Sequence, residues 1–321
     1  MSYRRIALAG IIIALFLFVL FVGSYLQPRQ TTPGPATPDD KLAEILARGT
    51  LVIATDINYP PNSELKPGAL RTAGTKCTRN EYTADEFSGY NVAVAVEIAR
   101  RLGVEPCFVT PTRTEIISGS WSDRWDIHVG SLAITPERMK VMYFTPPYYA
   151  GPVSLFVNRN NTAYVNPGDL SGKKVGVCAG CILEHYLDGT LNLPGQKIDF
   201  AIKNATIVAY ENEAVALSDL ALGDGVKLDA VLTNQPLGED AMKNGMSIRQ
   251  LGGPVFYDYD GAAVDKKCGR DPASFVRNVT GIIQKMNQDG TLLEFSQKYY
   301  GRDFVTETAR FNTSELGQIP G

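Results

Sequence analysis

Arg138 occupies the position in this sequence that is best suited to bind an anion. The stretch 125–138 reads as a strand end, a turn of small residues and a helix start, since Thr135 can cap the helix and Pro136 suits its first turn. Backbone N–H groups at a helix start are free to meet an anion, and the guanidinium can clamp a carboxylate with two hydrogen bonds. The pattern predicts a carboxylate-binding site. An arginine paired with a nearby acid is the alternative.

The five cysteines could form disulfides or a redox centre. Cys178 and Cys181 form a C-x-x-C motif, which is either a redox centre or a local structural disulfide. The flanking pattern is not that of a redox fold, which favours the disulfide. We also expect Cys77 to pair with Cys107, and the odd count leaves one cysteine unpaired or pairing between chains. A zinc site would need a second ligand pair that we do not find, so we expect no metal or other cofactor.

The two histidines are poor candidates for acid–base catalysis. His128 lies within a predicted strand and should pack in the core, and His185 lies on a predicted helix and should be solvated. An enzyme needs an acid or base placed in a cleft, so we expect a protein that is not an enzyme.

Strands and helices that alternate along the chain must position these side chains. The order strand, helix, strand occurs twice, in segments 50–55, 91–102 and 107–110, and again in 174–178, 181–187 and 205–210, with a further helix at 214–222. This order indicates parallel strands with helices on the faces of the sheet, and hence an α/β fold.

The N-terminal segment predicts export. The run 6–23 has no polar side chain, and a helix of that length spans about 27 Å, close to the hydrocarbon thickness of a bilayer. A cleaved signal peptide and an uncleaved anchor both fit, and the length favours the anchor. Arg4 and Arg5 should stay inside. The Pro/Thr-rich stretch 28–40 should form an extended spacer between the membrane and the domain.

The composition excludes several classes of protein. The chain has 321 residues, of which 44% are hydrophobic and 20% charged, with a formal net charge of −3. This balance is typical of a globular protein and excludes a disordered, collagen-like or coiled-coil chain. Because lysine and arginine are not in surplus, we expect no binding to nucleic acid.

An ordered set of short motifs runs through residues 42–303. It comprises segments 49–56, 59–61, 89–92, 97–99, 102–103, 134–138, 144–149, 172–177, 229–232 and 289–291. In this order the motifs resemble the family 3 solute-binding proteins of ABC transporters, the receptors for polar amino acids.

The resemblance implies a two-lobe clamshell of the type II periplasmic-binding-protein fold, which closes on a ligand about two hinge crossings. The crossings should lie near 150–152 and 251–254. The implied segments are a signal or anchor helix (1–27), the spacer (28–40), lobe 1 in two parts (41–150 and 253–305), lobe 2 (151–252) and a loose tail (306–321).

The resemblance also implies a role for each matching residue. Arg138 should bind the carboxylate of the ligand, assisted by Ser131 and by the backbone at Ala133. Tyr59 should cover the side chain of the ligand, and Asp56 should line the same wall.

Three positions depart from the family pattern. Ala133 stands where many relatives have a hydroxyl, and Ile182 stands where a threonine or serine often contacts the ligand. Asn234 replaces the aspartate that usually binds the ammonium, and an amide cannot neutralise a buried ammonium. We therefore expect a carboxylate ligand whose ammonium contact is weakened, or supplied by Asp56 or Glu211.

The function implied is that of an extracytoplasmic receptor, either anchored to the cell membrane or secreted. It would capture an amino acid or a related small carboxylate as a monomer and deliver it to the permease and ATPase subunits of an importer. A ligand-sensing accessory domain is the first alternative. A dehydratase or other enzyme on the same fold is the second.

Overall fold

A computed structural model of the chain describes residues 39–317. The apolar run 6–23 and nearly all of the predicted spacer lie outside the described residues, so their interpretation stays a prediction. Within residues 39–317, no helix combines the length and the apolar character that crossing a bilayer requires.

The helices and strands follow the predicted alternation. The α-helices described are α1 (Lys41–Arg48), α2 (Tyr90–Leu102), α3 (Arg113–Ile117), α4 (Pro136–Val141), α5 (Ile182–Leu187), α6 (Glu213–Ala221), α7 (Gln235–Lys243), α8 (Ala273–Gln288) and α9 (Thr291–Tyr300). The strands described are β1 (Thr50–Ala54), β2 (Glu64–Leu65), β3 (Tyr82–Thr83), β4 (Phe87–Ser88), β5 (Glu105–Val109), β6 (Ile127–His128), β7 (Met142–Phe144), β8 (Tyr149–Asn158), β9 (Lys174–Cys178), β10 (Thr206–Tyr210), β11 (Ala230–Asn234), β12 (Ile248–Asp260) and β13 (Ala263–Asp265).

The first lobe is built on a six-stranded sheet with the strand order β3-β5-β1-β6-β13-β7. Its central strand β1 is parallel to β5 and β6 and is buried along its whole length, as is usual for a parallel strand covered on both faces. Leu51 and Ile53 belong to the core that contains α2 and α8. Val52 and Ala54 belong to the core on the other face, around Trp121. Both faces of the sheet are therefore packed.

The second lobe is built on a five-stranded sheet with the order β10-β9-β11-β8-β12. Strands β9, β10 and β11 are parallel, and β8 runs antiparallel to β11 and β12. Val175 and Val177 pack in the core that contains α5, whereas Val231 packs in the core that contains α6 and α7. The carboxyl ends of β9 and β11 lie next to each other, which places the residues after them at one edge of the sheet.

The long pair β8 and β12 joins the second lobe to the first. Its register runs from Ile248 opposite Asn158 to Asp260 opposite Tyr149, with a shift between Leu251 and Phe256. At its far end Asp260 forms a bridge with Ala133 of the first lobe. Residues near 150–152 and 251–254, the predicted hinge crossings, lie within this pair of strands.

The α/β class and the two-lobe architecture are confirmed, but two local predictions are wrong. The strand predicted to contain His128 is limited to β6, because the chain turns at Gly130 and Ser131. Residues 306–317 are not a loose tail: they form two short 3₁₀ turns, and the buried Phe311 ring packs edge-on against Tyr259 at 5.4 Å. An aromatic anchor therefore holds this segment on the first lobe.

The expected disulfides are present. One joins Cys77 to Cys107 on β5, and the other joins Cys178 to Cys181 across the turn between β9 and α5. Cys268 carries a free thiol. The first bridge therefore staples the first lobe, and the second closes a turn at the carboxyl edge of the second-lobe sheet.

A buried ion cluster fastens α1 to the first sheet. The side chain of Asp126 is 1% exposed, and its Oδ1 lies 3.0 Å from Lys41 Nζ, which is equally buried. Asp126 Oδ2 accepts the Val52 N–H at 2.8 Å and also pairs with Arg48. The attraction between these charges offsets the free-energy cost of removing them from water only while every partner is present.

Candidate ligand-binding site

A small cavity lies between the two lobes. Both lobes contribute side chains to it, and most are polar or charged. The lining residues are Tyr59, Arg113, Ser131, Ala133, Arg138, Val153, Cys178, Cys181, Ile182, Leu183, Glu213, Asn234 and Asp258.

Arg138 brings a positive charge to this cavity without a contacting acid among the described residues. Thr135 caps α4 by accepting the Arg138 N–H at 3.2 Å, and Arg138 Nη1 donates to the Ala133 carbonyl at 2.8 Å. The residue is only 9% exposed, and no carboxylate of residues 39–317 lies within 4.0 Å of its guanidinium. Burial, helped by the nearby Arg113, lowers the pKa of Arg138 to about 10. It is therefore still charged at neutral pH and lacks an anionic partner.

Asp56 supports the cavity wall from outside the lining set. Its Oδ2 accepts the backbone N–H of Ser131 at 2.8 Å, and its Oδ1 lies 3.7 Å from Arg113 Nη2. The Ser131 hydroxyl accepts hydrogen bonds from Asn62 at 3.0 Å and from Asn91 at 3.3 Å, so its own proton is free to be donated into the cavity. Asp56 thus holds Ser131 and Arg113 in place.

Tyr59 and Glu213 meet across the cavity. Tyr59 follows β1 in the first lobe and packs on the α6–α7 core of the second lobe. Its hydroxyl hydrogen-bonds the carboxylate of Glu213 at the start of α6, where Asn212 caps the helix. Burial raises the pKa of Tyr59 well above its usual value, and Glu213 adds to this effect. Burial also raises the pKa of Glu213. This contact links the two lobes directly.

The second-lobe wall consists of the C-x-x-C turn and the end of β11. Cys178, Cys181 and Ile182 all line the cavity, so the Cys178–Cys181 disulfide forms part of the wall. The Asn234 amide oxygen accepts the Tyr149 hydroxyl at 3.3 Å. The apolar Ile182 side chain and the Cys178–Cys181 disulfide therefore face the cavity, at a place where the resemblance to the family implies a hydroxyl.

Asp258 on β12 offers an acceptor without a partner. Its Oδ1 is buried and has no hydrogen bond within the described part of the chain. Burial raises the pKa of Asp258 to about 6, and Arg138 and Arg113 oppose this rise. Burial also raises the pKa of the neighbouring Asp260 well above its usual value. A buried acceptor at a cavity wall is suited to receive a donor from a ligand.

The structure brings six of the seven predicted ligand-binding residues to one cavity, and Asp56 is the one outside the lining set. The six are Tyr59, Ser131, Ala133, Arg138, Ile182 and Asn234. Glu211, the suggested alternative contact for an ammonium, is exposed and does not line the cavity. Glu213, two positions along, lines the cavity instead, because α6 begins there.

Sequence reasoning missed Arg113, Glu213 and Asp258. The pattern Thr112-x-x-Glu115 is a capping box, a signal that would have placed Arg113 in the first turn of a helix, as for Arg138. Asp258 carries no local signal, since only the pairing of β12 with β8 brings it to the cavity.

Neither histidine lies in the cavity wall. Burial lowers the pKa of His128 to about 4, so this core residue is neutral, and His185 is exposed on α5. Within residues 39–317, one group of side chains has the spacing of metal ligands, namely Cys77, Glu81 and Cys107. Its two sulfurs are joined in a disulfide, which removes the thiolates a metal would need.

Comparison with known proteins gives a consistent result. Residues 72–302 match the family described as bacterial extracellular solute-binding proteins, family 3. The L-cystine-binding protein TcyJ of Escherichia coli strain K12 is 25% identical over 266 residues, which cover 82% of this chain and 86% of that protein. The lysine/arginine/ornithine-binding periplasmic protein of the same strain is 25% identical over 261 residues, 78% of this chain and 87% of that protein.

A solved structure agrees with the sequence relatives. The ancestral amino acid-binding protein AncCDT-1, a precursor of cyclohexadienyl dehydratase, has a TM-score of 0.63 at 26% identity and covers 81% of this chain and 98% of its own. The family match includes strands and helices of both lobes and most of the cavity lining. The chain therefore belongs to the family 3 bacterial extracellular solute-binding proteins.

Proposed function

We propose that this protein is a receptor that binds an L-amino acid or a related small carboxylate between its lobes and delivers it to an ABC importer. The observation that carries the proposal is the buried Arg138 guanidinium, which faces the cavity without an acid within 4.0 Å among residues 39–317. The α-carboxylate of the ligand supplies that missing anion, and the Ser131 hydroxyl donates to it. The relatives named for cystine and for lysine, arginine and ornithine support an amino-acid ligand.

The ammonium of the ligand contacts Asp258 in this proposal. Asp56 is occupied by Ser131 and Arg113, and Glu213 accepts the Tyr59 hydroxyl. Asp258 is the lining acid whose Oδ1 lacks a hydrogen bond in the described part of the chain. Asp258 would thus replace the acid that is missing at Asn234.

Closure about β8 and β12 would bury the ligand. The N-terminal apolar run would anchor the protein to the membrane, and the protein would act as a monomer. We place it among binding proteins rather than enzymes, because the named curated relatives are binding proteins. The permease and the ATPase of the importer are the partners that this role requires.

A thermal-shift screen of L-amino acids and their deaminated counterparts tests the proposed function. A ligand that binds only the folded protein stabilises it by about 2.7 kcal/mol when its concentration is 100 times Kd. We expect at least one of these carboxylates to raise the midpoint. The proposal fails if none does, or if the shift is undiminished in Arg138→Met.

The affinity for an amino acid should fall as the pH drops through about 6. Asp258 is ionised above its raised pKa and protonated below it, and only the ionised form pairs with an ammonium. Calorimetry at pH 7.5 and pH 5 measures the change. We expect Asp258→Asn to lose this pH dependence together with roughly 10-fold to 100-fold of the affinity, since a hydrogen bond to a charged group contributes about 1.5–3 kcal/mol.

The deaminated acid serves as the control for this prediction. It lacks the ammonium, so protonation of Asp258 should not weaken its binding. An amino acid whose affinity falls with pH equally in wild type and in Asp258→Asn would rule out this contact.

A further inference from the structure

Arg113 is a second guanidinium in the cavity, and the contacts proposed so far leave it without a role. It begins α3 in the first lobe, and its side chain remains 29% exposed. Arg113 Nη1 donates to the Ser131 carbonyl at 3.4 Å, and Nη2 lies 3.7 Å from Asp56 Oδ1. These are its only hydrogen bond and ion pair within residues 39–317. A guanidinium has five N–H donors, so most of them are left for a ligand.

The surroundings of Arg113 disfavour a cationic ligand side chain. Asp56 is the acid beside it, and one Asp56 oxygen already accepts the Ser131 N–H at 2.8 Å. The other oxygen faces Arg113 itself. A guanidinium of the protein therefore occupies the place in which the side chain of a basic amino acid could meet Asp56.

Glu213 does not neutralise the positive charge of Arg113. It attracts Arg113 from the second lobe, but its carboxylate hydrogen-bonds the Tyr59 hydroxyl. Arg113 and Arg138 therefore present two planar donor groups to one cavity, and a guanidinium matches a carboxylate with two parallel hydrogen bonds.

We propose that Arg113 binds a second carboxylate, so that the ligand is an acidic L-amino acid whose α-carboxylate contacts Arg138. This inference rests on the proposed function, because it assumes that the cavity holds an amino acid. It adds a specificity-determining residue and a class of ligand that the names of the relatives do not suggest.

Calorimetric titration of the wild type with four probes tests the proposal. We expect L-glutamate or L-aspartate to bind roughly 10-fold to 100-fold more tightly than L-glutamine, because the added contact joins two charged groups. We expect L-arginine to bind more weakly than L-glutamine. This comparison needs no variant and so does not depend on how a substitution affects folding.

The variant Arg113→Met tests whether this side chain causes the preference for an acidic ligand. It should abolish the preference for L-glutamate over L-glutamine and, by uncovering Asp56, strengthen the binding of L-arginine by roughly 10-fold. Arg100→Met is the matched control, because Arg100 is an exposed arginine paired with Glu97 on the outer face of α2. It should leave all four affinities unchanged.

The outcomes separate the two proposals. If L-glutamine or L-arginine binds the wild type as tightly as L-glutamate and L-aspartate, and Arg138→Met abolishes that binding, the acidic specificity is wrong and the proposed function stands. If the preference for the acidic ligand survives in Arg113→Met, Arg113 is not the second anchor. If no carboxylate of the wider screen binds the wild type, both proposals are wrong.

Discussion

Arg138→Met is expected to weaken the binding of every carboxylate ligand by roughly 30-fold to several thousand-fold. Removing one partner of a buried, hydrogen-bonded charge pair costs about 2–5 kcal/mol, and every 1.4 kcal/mol is about tenfold in Kd. Calorimetry with the best ligand from the screen measures the loss. Arg138→Lys should recover part of it, because the charge returns without the planar pair of donors.

The same substitution should not destabilise the protein without ligand. The Arg138 guanidinium is buried, and its one hydrogen bond within residues 39–317 is to the Ala133 carbonyl. Replacing it with an apolar side chain removes a desolvated charge, which offsets the attraction to Asp258 and Asp260 that is lost. We expect the midpoint of thermal unfolding without ligand to stay about equal. A large drop in that midpoint would mean that Arg138 has a structural role, and undiminished affinity would contradict the proposed carboxylate site.

Asp126→Asn is expected to lower the free energy of unfolding by about 3 kcal/mol. The substitution leaves Lys41, whose side chain is 1% exposed, without its nearest anion, and breaking a buried ion pair by removing one partner costs about 3–5 kcal/mol. Lys41 keeps Asp123 at 3.3 Å and Glu44 at 3.4 Å. We therefore expect a loss of stability at the lower end of this range. Urea unfolding monitored by circular dichroism gives the difference.

Two further variants identify the source of this cost. Asp199→Asn changes an exposed acid whose side chain has no hydrogen bond or ion pair within residues 39–317 and should alter stability by no more than about 0.5 kcal/mol. Lys41→Met combined with Asp126→Asn should be more stable than Asp126→Asn alone, because no lysine is then left unpaired. A double variant that is less stable than the single one would show that packing, and not the orphaned charge, dominates.

Local patterns allowed the fold and one half of the site to be predicted. Arg138 can be predicted because a cap, a proline and an arginine occur in succession at a helix start. Arg113 has a comparable local pattern, with Thr112 as cap and Glu115 completing the capping box. Its position at a helix start is therefore predictable from the sequence as well.

The acids that line the cavity, Glu213 and Asp258, could not be placed from the sequence in the same way. The predicted helix 214–222 begins one residue late and leaves out the buried Glu213, whereas Glu211, the acid suggested instead, is exposed. Asp258 lies on a strand whose register against β8 shifts between Leu251 and Phe256. Which face of such a strand meets the cavity depends on tertiary pairing, which periodicity does not encode.

The sulfur bridge between Cys178 and Cys181 ties ligand recognition to the conditions under which the chain is made. Material produced in a reducing cytosol would carry two thiols in the cavity wall, and these thiols would no longer fix the loop that carries Ile182. Such a preparation would mix species with different cavities, and its measured affinities would be averages over them. Oxidative secretion is therefore the appropriate route to protein for any binding study.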